Sequence, residues 1–347
     1  MGNATGSSKK NRRAVTAFLA NRYSSNDLKN FFSMYDPLAK VPTIVLKGDD
    51  GGELIAGGTE SMLDAEYITS VAHNVQTEFW GFSGRAPKNV HNEPFLKWLI
   101  QVSKTDDATV PKVFSTSYGE DEDSVDPDYA ARINVEFMKA GARGISLLFA
   151  SGDSGAAGQG DCPGGKFQPS WPATSPFVTS VGGTENHGPE TAAGLSSGGF
   201  SNRYETPKWQ KEAVKGYFAQ RNLPNEKYYN SSGRGFPDIA AQAMSYPVVI
   251  GKSSFDVDGT SCACPTAAAV ISLLNDERLN EGKSTLGFLN PLLYSAPAAF
   301  NDITTGRNGG CGVVFGRGFP ATNGWDAVTG LGTPNFVALK KVVNSLP

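Results

Sequence analysis

From Pro42 onward the chain alternates short apolar runs with longer amphipathic segments, and this pattern limits the folds open to it. Thr43 to Leu46 reads as a short strand, closed by a Gly/Asp turn at Gly48 to Gly52. Thr59 to His73 carries Met62, Leu63, Tyr67 and Val71 at helical spacing, and Glu93 to Val102 places Phe95, Trp98 and Leu99 on one helix face. Val113 to Gly119 predicts a strand running into a loop. Asp126-Pro127 opens a helix to about Lys139, which Gly141 to Gly144 ends. Ile145 to Ala150, Phe177 to Val181 and Tyr246 to Ile250 predict further strands, and Thr260 to about Asn275 is the most apolar helical stretch. Strands alternating with helices predict an α/β fold, a mostly parallel sheet with helices on both faces. In such sheets functional residues gather beyond the carboxyl ends of strands, where Ser151 to Gly155 falls. With 347 residues, no repeat and no linker, a single domain is expected, its residues 1–40 polar and helical.

Hydrophobic content of 39% and charged content of 19% fit a packed globular chain. A net charge of −3 without a basic stripe argues against nucleic acid as a partner. No run of about 18 apolar residues exists, so no helical membrane span is expected. Met1 to Arg13 is polar and lacks the apolar core of a secretory signal, and Gly6 stands where a myristoylation motif wants Ser or Thr. Asn3-Ala4-Thr5 and Asn230-Ser231-Ser232 are glycosylation sequons. Four cysteines are too few for a dense disulfide framework.

The chemistry begins at Asp258-Gly259-Thr260-Ser261, followed by Cys262-Ala263-Cys264-Pro265. Small residues around a serine at a helix start resemble the nucleophile turn of subtilisin-like serine peptidases. Backbone N–H groups there can stabilise developing negative charge. A serine hydroxyl needs a base, yet His73, His91 and His187 are the only histidines and none sits in a fitting stretch. The base is then a carboxylate, a lysine or an amine. Glu60 and Asp64, spaced i,i+4 on one helix face, offer a carboxylate pair in which one pKa should rise. Taken alone, the pair reads rather as two solvated acids, since acidic pairs at this spacing are common. Cys262 and Cys264 read as small buried residues, with a reactive thiol of lowered pKa as the alternative.

Three segments make the pattern specific. Gly57-Gly58-Thr59-Glu60-Ser61-Met62-Leu63-Asp64, Phe149-Ala150-Ser151-Gly152-Asp153-Ser154-Gly155 and Gly259-Thr260-Ser261 resemble, in order and separation, the motifs of the sedolisin family of serine-carboxyl peptidases. Ser117 to Ser124, Gly198 to Asn202, Leu286 to Tyr294 and Trp325 to Phe336 are similar to its tripeptidyl-peptidase branch, and the likeness runs from about Ala14 to Pro347. The resemblance implies a subtilisin-like fold with Ser261 as nucleophile, Glu60 as general base and acid, and Asp64 orienting Glu60. Asp153 would be the oxyanion residue, a role that requires the protonated acid, since only that form donates a hydrogen bond.

The resemblance further implies a disulfide between Cys162 and Cys311. It implies a Ca²⁺ site from the Asp302 and Asp326 carboxylates with the carbonyls of Ile303, Thr322 and Gly324, hard oxygen ligands that suit this ion. Thr322 stands where a family member has glycine, which a carbonyl ligand tolerates unless positive φ is needed. The expected activity is acid hydrolysis of polypeptide substrates by a monomer, releasing tripeptides from free N-termini in a lysosomal or secreted acidic compartment. An endopeptidase of the same family and a catalytically silent interaction protein are the alternatives. The family is made with a signal and a propeptide, and neither is legible ahead of Ala14, which reads as a mature or truncated chain.

Overall fold

The computed structural model describes residues 4–158, 160, 162–311 and 318–347. The sequence features at Gly2 and Asn3 lie outside them. Its centre is a parallel sheet of β1 (Arg12–Ala17), β2 (Val45–Lys47), β3 (Gln76–Gly81), β4 (Val113–Thr116), β5 (Ser146–Ala150), β6 (Thr179–Glu185) and β7 (Ile239–Gln242), in the order β7-β6-β5-β4-β1-β3-β2. The chain starts at β1, winds out to the edge at β2 and β3, then adds β4 to β7 on the other side. The winding reverses between β1 and β4. Beyond the carboxyl ends of such a pair, an open parallel sheet leaves a crevice.

Helices cover both faces, as the alternation predicts. They are α1 (Ser25–Tyr35), α2 (Thr59–Val71), α3 (Phe95–Lys104), α4 (Pro127–Ala142), α5 (Lys211–Phe218), α6 (Thr260–Asn280), α7 (Asn290–Ser295) and α8 (Phe336–Asn344). Successive strand residues point to opposite faces. Val113 and Leu148 join Leu63, Ile68 and Ala267 of α2 and α6, while Phe114, Leu147 and Phe149 join Trp98 and Phe137 of α3 and α4. The α4 start is capped as its sequence predicts, the Asp126 side chain accepting from Tyr129 N–H at 3.0 Å. α6 is apolar nearly all round because it is buried nearly all round.

Three expectations are corrected. Residues 1–40 are not helical throughout: β1 lies in the middle of the sheet and only α1 is helical. Arg12-Arg13 make that segment look like surface. Arg13, however, is 1% exposed, its guanidinium donating to Thr77 Oγ1, Ser272 Oγ and the Ala72 carbonyl, and Ala14 to Phe18 fill the core behind it. The strand expected at Phe177 to Val181 runs later, over Thr179–Glu185. Tyr246–Ile250 is a strand, but it leaves the sheet as β8 and pairs antiparallel with β9 (Ser253–Val257), a hairpin leading into Gly259. Among the described residues no helix is long and apolar enough to cross a membrane.

Candidate active site

A cleft of about 320 Å³ opens beyond the carboxyl ends of β1, β4 and β5, and Glu60, Asp153 and Ser261 all line it. Glu60 is the second residue of α2, Ser261 the second of α6, and Asp153 lies on the loop after β5. Segments some 200 residues apart in sequence are thus brought to one place because α2 and α6 pack together on one face of the sheet.

The nucleophile turn is held from both sides. Gly259 N–H donates to the Ala243 carbonyl at 2.8 Å, just past β7. A Cβ on Gly259 would stand 3.0 Å from Asp153 Oδ2, so glycine leaves the room that carboxyl needs. Thr260 then grips Asp153, its N–H at 2.6 Å and its hydroxyl at 2.8 Å from Oδ1. These bonds fall on one oxygen, Oδ1. Pro265 sits inside α6 and forgoes the bond to the Ser261 carbonyl.

Among the described residues no cation stands beside Glu60 or Asp64. Burial pushes the Glu60 carboxyl up to about 7; the Ser261 hydroxyl opposes the rise, Asp153 adds to it and Ser117 opposes it. Oε1 of Glu60 is buried with no partner at hydrogen-bond distance. Asp64, 1% exposed, is driven well above the usual carboxylate range by burial and by Glu60, against one hydrogen bond from Ser117. Ser117 Oγ donates to Asp64 Oδ1 at 2.8 Å while also acting on Glu60. A serine has one proton to give. Both carboxyls are satisfied around it only when one of them carries a proton itself. The arrangement sets a carboxyl raised to about 7 beside a serine hydroxyl, which is the equipment for acid–base activation of that hydroxyl.

All four sequence-predicted catalytic positions thus converge, Asp64 standing behind Glu60. Ser117 and Thr260 were quoted within motifs but given no part, and here they bridge the acids and hold Asp153. Glu93 was read only as a helix start. It lines the cleft, is 3% exposed and has a buried, unpartnered Oε2. Burial, then its hydrogen bond to and repulsion by Glu120, push it up to about 9.

Cys162 and Cys311 are disulfide-bonded, tying the chain after Asp153 to the C-terminal part. Ala156 N–H donates to the Gly309 carbonyl at 2.9 Å beside it. Cys262 and Cys264 are free and buried. Burial raises both thiols, Cys264 to about 12, so the alternative of a lowered, reactive pKa is corrected.

At the other end, Asp302 and Asp326 converge on the loop 322–326. Gly324 N–H donates to Asp302 at 2.8 Å and Thr322 N–H to Asp326 at 3.2 Å. Asp326 is fully buried, and only N–H and O–H donors reach it, from Thr322, Val328 and Thr329. Thr322 Oγ1 is buried with no partner, and Thr322 is not among the left-handed residues, so the absence of glycine there strains nothing. Among the described residues no three His, Cys, Asp or Glu side chains gather, and Asp302 and Asp326 are the two carboxyls beside this loop. Those donors fit a hard cation.

The subtilase family profile matches residues 54–286. Tripeptidyl-peptidase 1 of Rattus norvegicus is 41% identical over 96% of this chain and 60% of its own length, and that of Homo sapiens 40% over the same shares. Tripeptidyl-peptidase SED2 of Arthroderma otae is 39% identical over 96% of this chain and 61% of its own length. The chain thus spans about 60% of the length of the curated relatives it matches. Pseudomonas sedolisin, a serine-carboxyl proteinase, superposes with a TM-score of 0.76 at 24% identity, covering 99% of this chain and 95% of that one, a likeness of fold. With the profile spanning more than half of its residues, the chain belongs to the subtilase family.

Proposed function

We propose that the chain is a serine-carboxyl peptidase that releases tripeptides from the free N-termini of polypeptides at acidic pH. The convergence of Ser261, Glu60 and Asp153 on one cleft, with Asp64 behind Glu60, carries this reading. Glu60, in its ionised form, takes the proton of Ser261 Oγ as that oxygen attacks the scissile carbonyl. Asp153, as the acid, donates to the oxyanion from Oδ2. Glu60 then passes its proton to the leaving amine, and the same steps with water release the acyl group. Ionisation of Asp153 would set negative charge against the oxyanion, so the chemistry belongs to acidic solution. An acidic, lysosome-like compartment would meet that requirement. The reaction needs one copy of the chain.

Glu93 and Glu120 favour exopeptidase action. Glu93 is buried and hydrogen-bonded to the partly buried Glu120, and it faces the cleft with an unpartnered oxygen. A substrate ammonium group would pair with that oxygen. Ca²⁺ would be held by Asp302 and Asp326 with the carbonyls of Ile303, Thr322 and Gly324. It would neutralise buried charge and fix the C-terminal loops.

The test is hydrolysis near pH 4–5 of one peptide with a free or acetylated N-terminus, by the chain and by Ser261→Ala. Tripeptide release from the free peptide alone, lost in Ser261→Ala, is expected. Cleavage that survives acetylation identifies an endopeptidase, and equal rates in Ser261→Ala remove the enzymatic reading. EDTA lowering the thermal midpoint, with Ca²⁺ restoring it, checks the cation.

A further inference from the structure

The chain leaves β1 through a turn whose sequence does not suit it. Asn21 N–H donates to the Phe18 carbonyl at 3.0 Å, and the two residues between, Leu19 and Ala20, have φ of 58° and 61°. Two successive positive φ values are the pattern of a type I′ turn, which glycine and asparagine fill without strain and leucine and alanine do not. Such strain persists only where neighbours over-determine the backbone. Here they do: Phe18 packs edge-on against Phe95, Trp98 and Tyr118, and the Tyr118 hydroxyl donates to the same Phe18 carbonyl at 3.2 Å.

The turn delivers Asn21 to the catalytic cleft, where it lines the same space as Glu60 and Ser261. Its carboxamide lies against the residue ahead of α2: a Cβ on Gly58 would come 2.4 Å from Asn21 Oδ1. Gly58 N–H donates to the Arg22 carbonyl at 2.9 Å, so the turn and the start of the Glu60 helix are joined by backbone as well. The Asn21 side chain makes no hydrogen bond within the protein among the described residues. A carboxamide held in place at a cleft wall, with donor and acceptor both free, matches one chemical partner well: another amide.

We propose that Asn21 binds the main chain of the peptide substrate, its carboxamide pairing with a backbone peptide group beside the scissile bond. This rests on the peptidase reading above. It makes Asn21 a substrate-positioning residue, distinct from the acids because it stays neutral across the working pH range. A neutral clamp holds the peptide without adding charge to a cleft already rich in carboxyls.

Steady-state kinetics of Asn21→Ala and Asn21→Leu on an N-terminally free peptide test the inference. Both should raise KM roughly five- to tenfold, with kcat within about twofold and an unchanged pH profile, as expected for one lost hydrogen bond to bound substrate. Leucine preserves volume against Gly58, so a KM that leucine restores would mean packing and overturn the proposal. Unchanged KM in both variants would overturn it as well. A fall in kcat with a shifted profile would also overturn it, since Asn21 would then act through Glu60. Should the unaltered chain show no turnover, the peptidase reading fails by itself. Equilibrium binding of the same fluorescent peptide to the chain and to Asn21→Ala then decides whether Asn21 holds a peptide.

Discussion

Two acid sites, one sealed inside the fold and one at the cleft wall, stand on opposite sides of the logic of this protein. Asp238, after β7's preceding loop, is surrounded by partners: the Arg234 guanidinium, Ser180 N–H at 2.8 Å, Asn290 Nδ2 at 3.2 Å and the Tyr294 hydroxyl at 2.9 Å. Asp64 is buried and Glu60 is partly buried at the cleft wall, and among the described residues no arginine or lysine faces them, two serine hydroxyls being their main polar company. Burial disfavours the charged form at both sites. At Asp238 burial still raises the carboxyl, but the guanidinium and the surrounding donors oppose it, and the group serves as a structural hub. At Glu60 serine hydroxyls alone oppose it, and the carboxyl is raised to about 7 beside the Ser261 hydroxyl. A buried charge with a full set of partners marks architecture; one left without them marks chemistry.

The widest separation between the two sites should appear in turnover. Glu60→Gln keeps the shape of the side chain but cannot accept the serine proton, and peptide hydrolysis should fall by roughly 10²–10⁴-fold. Its thermal midpoint should hold or rise, because a buried ionisable group is removed. Arg234→Met should do the reverse. It strands the Asp238 charge and should destabilise by about 3–5 kcal/mol, read by denaturant unfolding. Activity per folded molecule should survive. Loss of stability in Glu60→Gln matching that of Arg234→Met would erase the distinction drawn here.

A smaller effect lies in the pH dependence of stability. Glu60 is raised to about 7 in the folded chain and Glu66 to about 9, each from an ordinary value of 4.5. The folded state therefore binds these protons more tightly than the unfolded state. The contribution is fully present below about 4.5 and is lost as pH climbs through the folded values. The thermal midpoint should decline from pH 5 toward pH 8, and Glu66→Gln should flatten the part of the slope above pH 7. A midpoint that rises over this range would contradict the assignment. The smallest change is expected at Cys264. Its raised thiol should resist iodoacetamide at pH 7.5 in the native chain and react after unfolding.

The sequence made some of this readable and hid the rest for physical reasons. The strand-to-helix alternation and the Asp126 cap are local signals, and the sheet with helices on both faces follows from them. Ser261, Glu60, Asp64 and Asp153 were legible because each lies in a motif with fixed neighbours. β1 was not, because two arginines at its start look like surface until Arg13 finds Thr77, Ser272 and Ala72 across the fold. Ser117 was hidden for a similar reason: one serine bridging two acids is a relation in space, and no spacing in its own segment announces it. Asn21 was hidden twice, by an undistinguished composition and by a turn that leucine and alanine would not suggest.

Thr260 ties the site together in a way that bears on its precision. It is the residue before Ser261, and its N–H and hydroxyl both hold Asp153. Nucleophile and proposed oxyanion acid are thus mounted on a single joint at the head of a 21-residue buried helix. When that helix shifts, both groups travel with it, so thermal jitter displaces them together and leaves their spacing alone. The tolerance of the machine is set by one threonine.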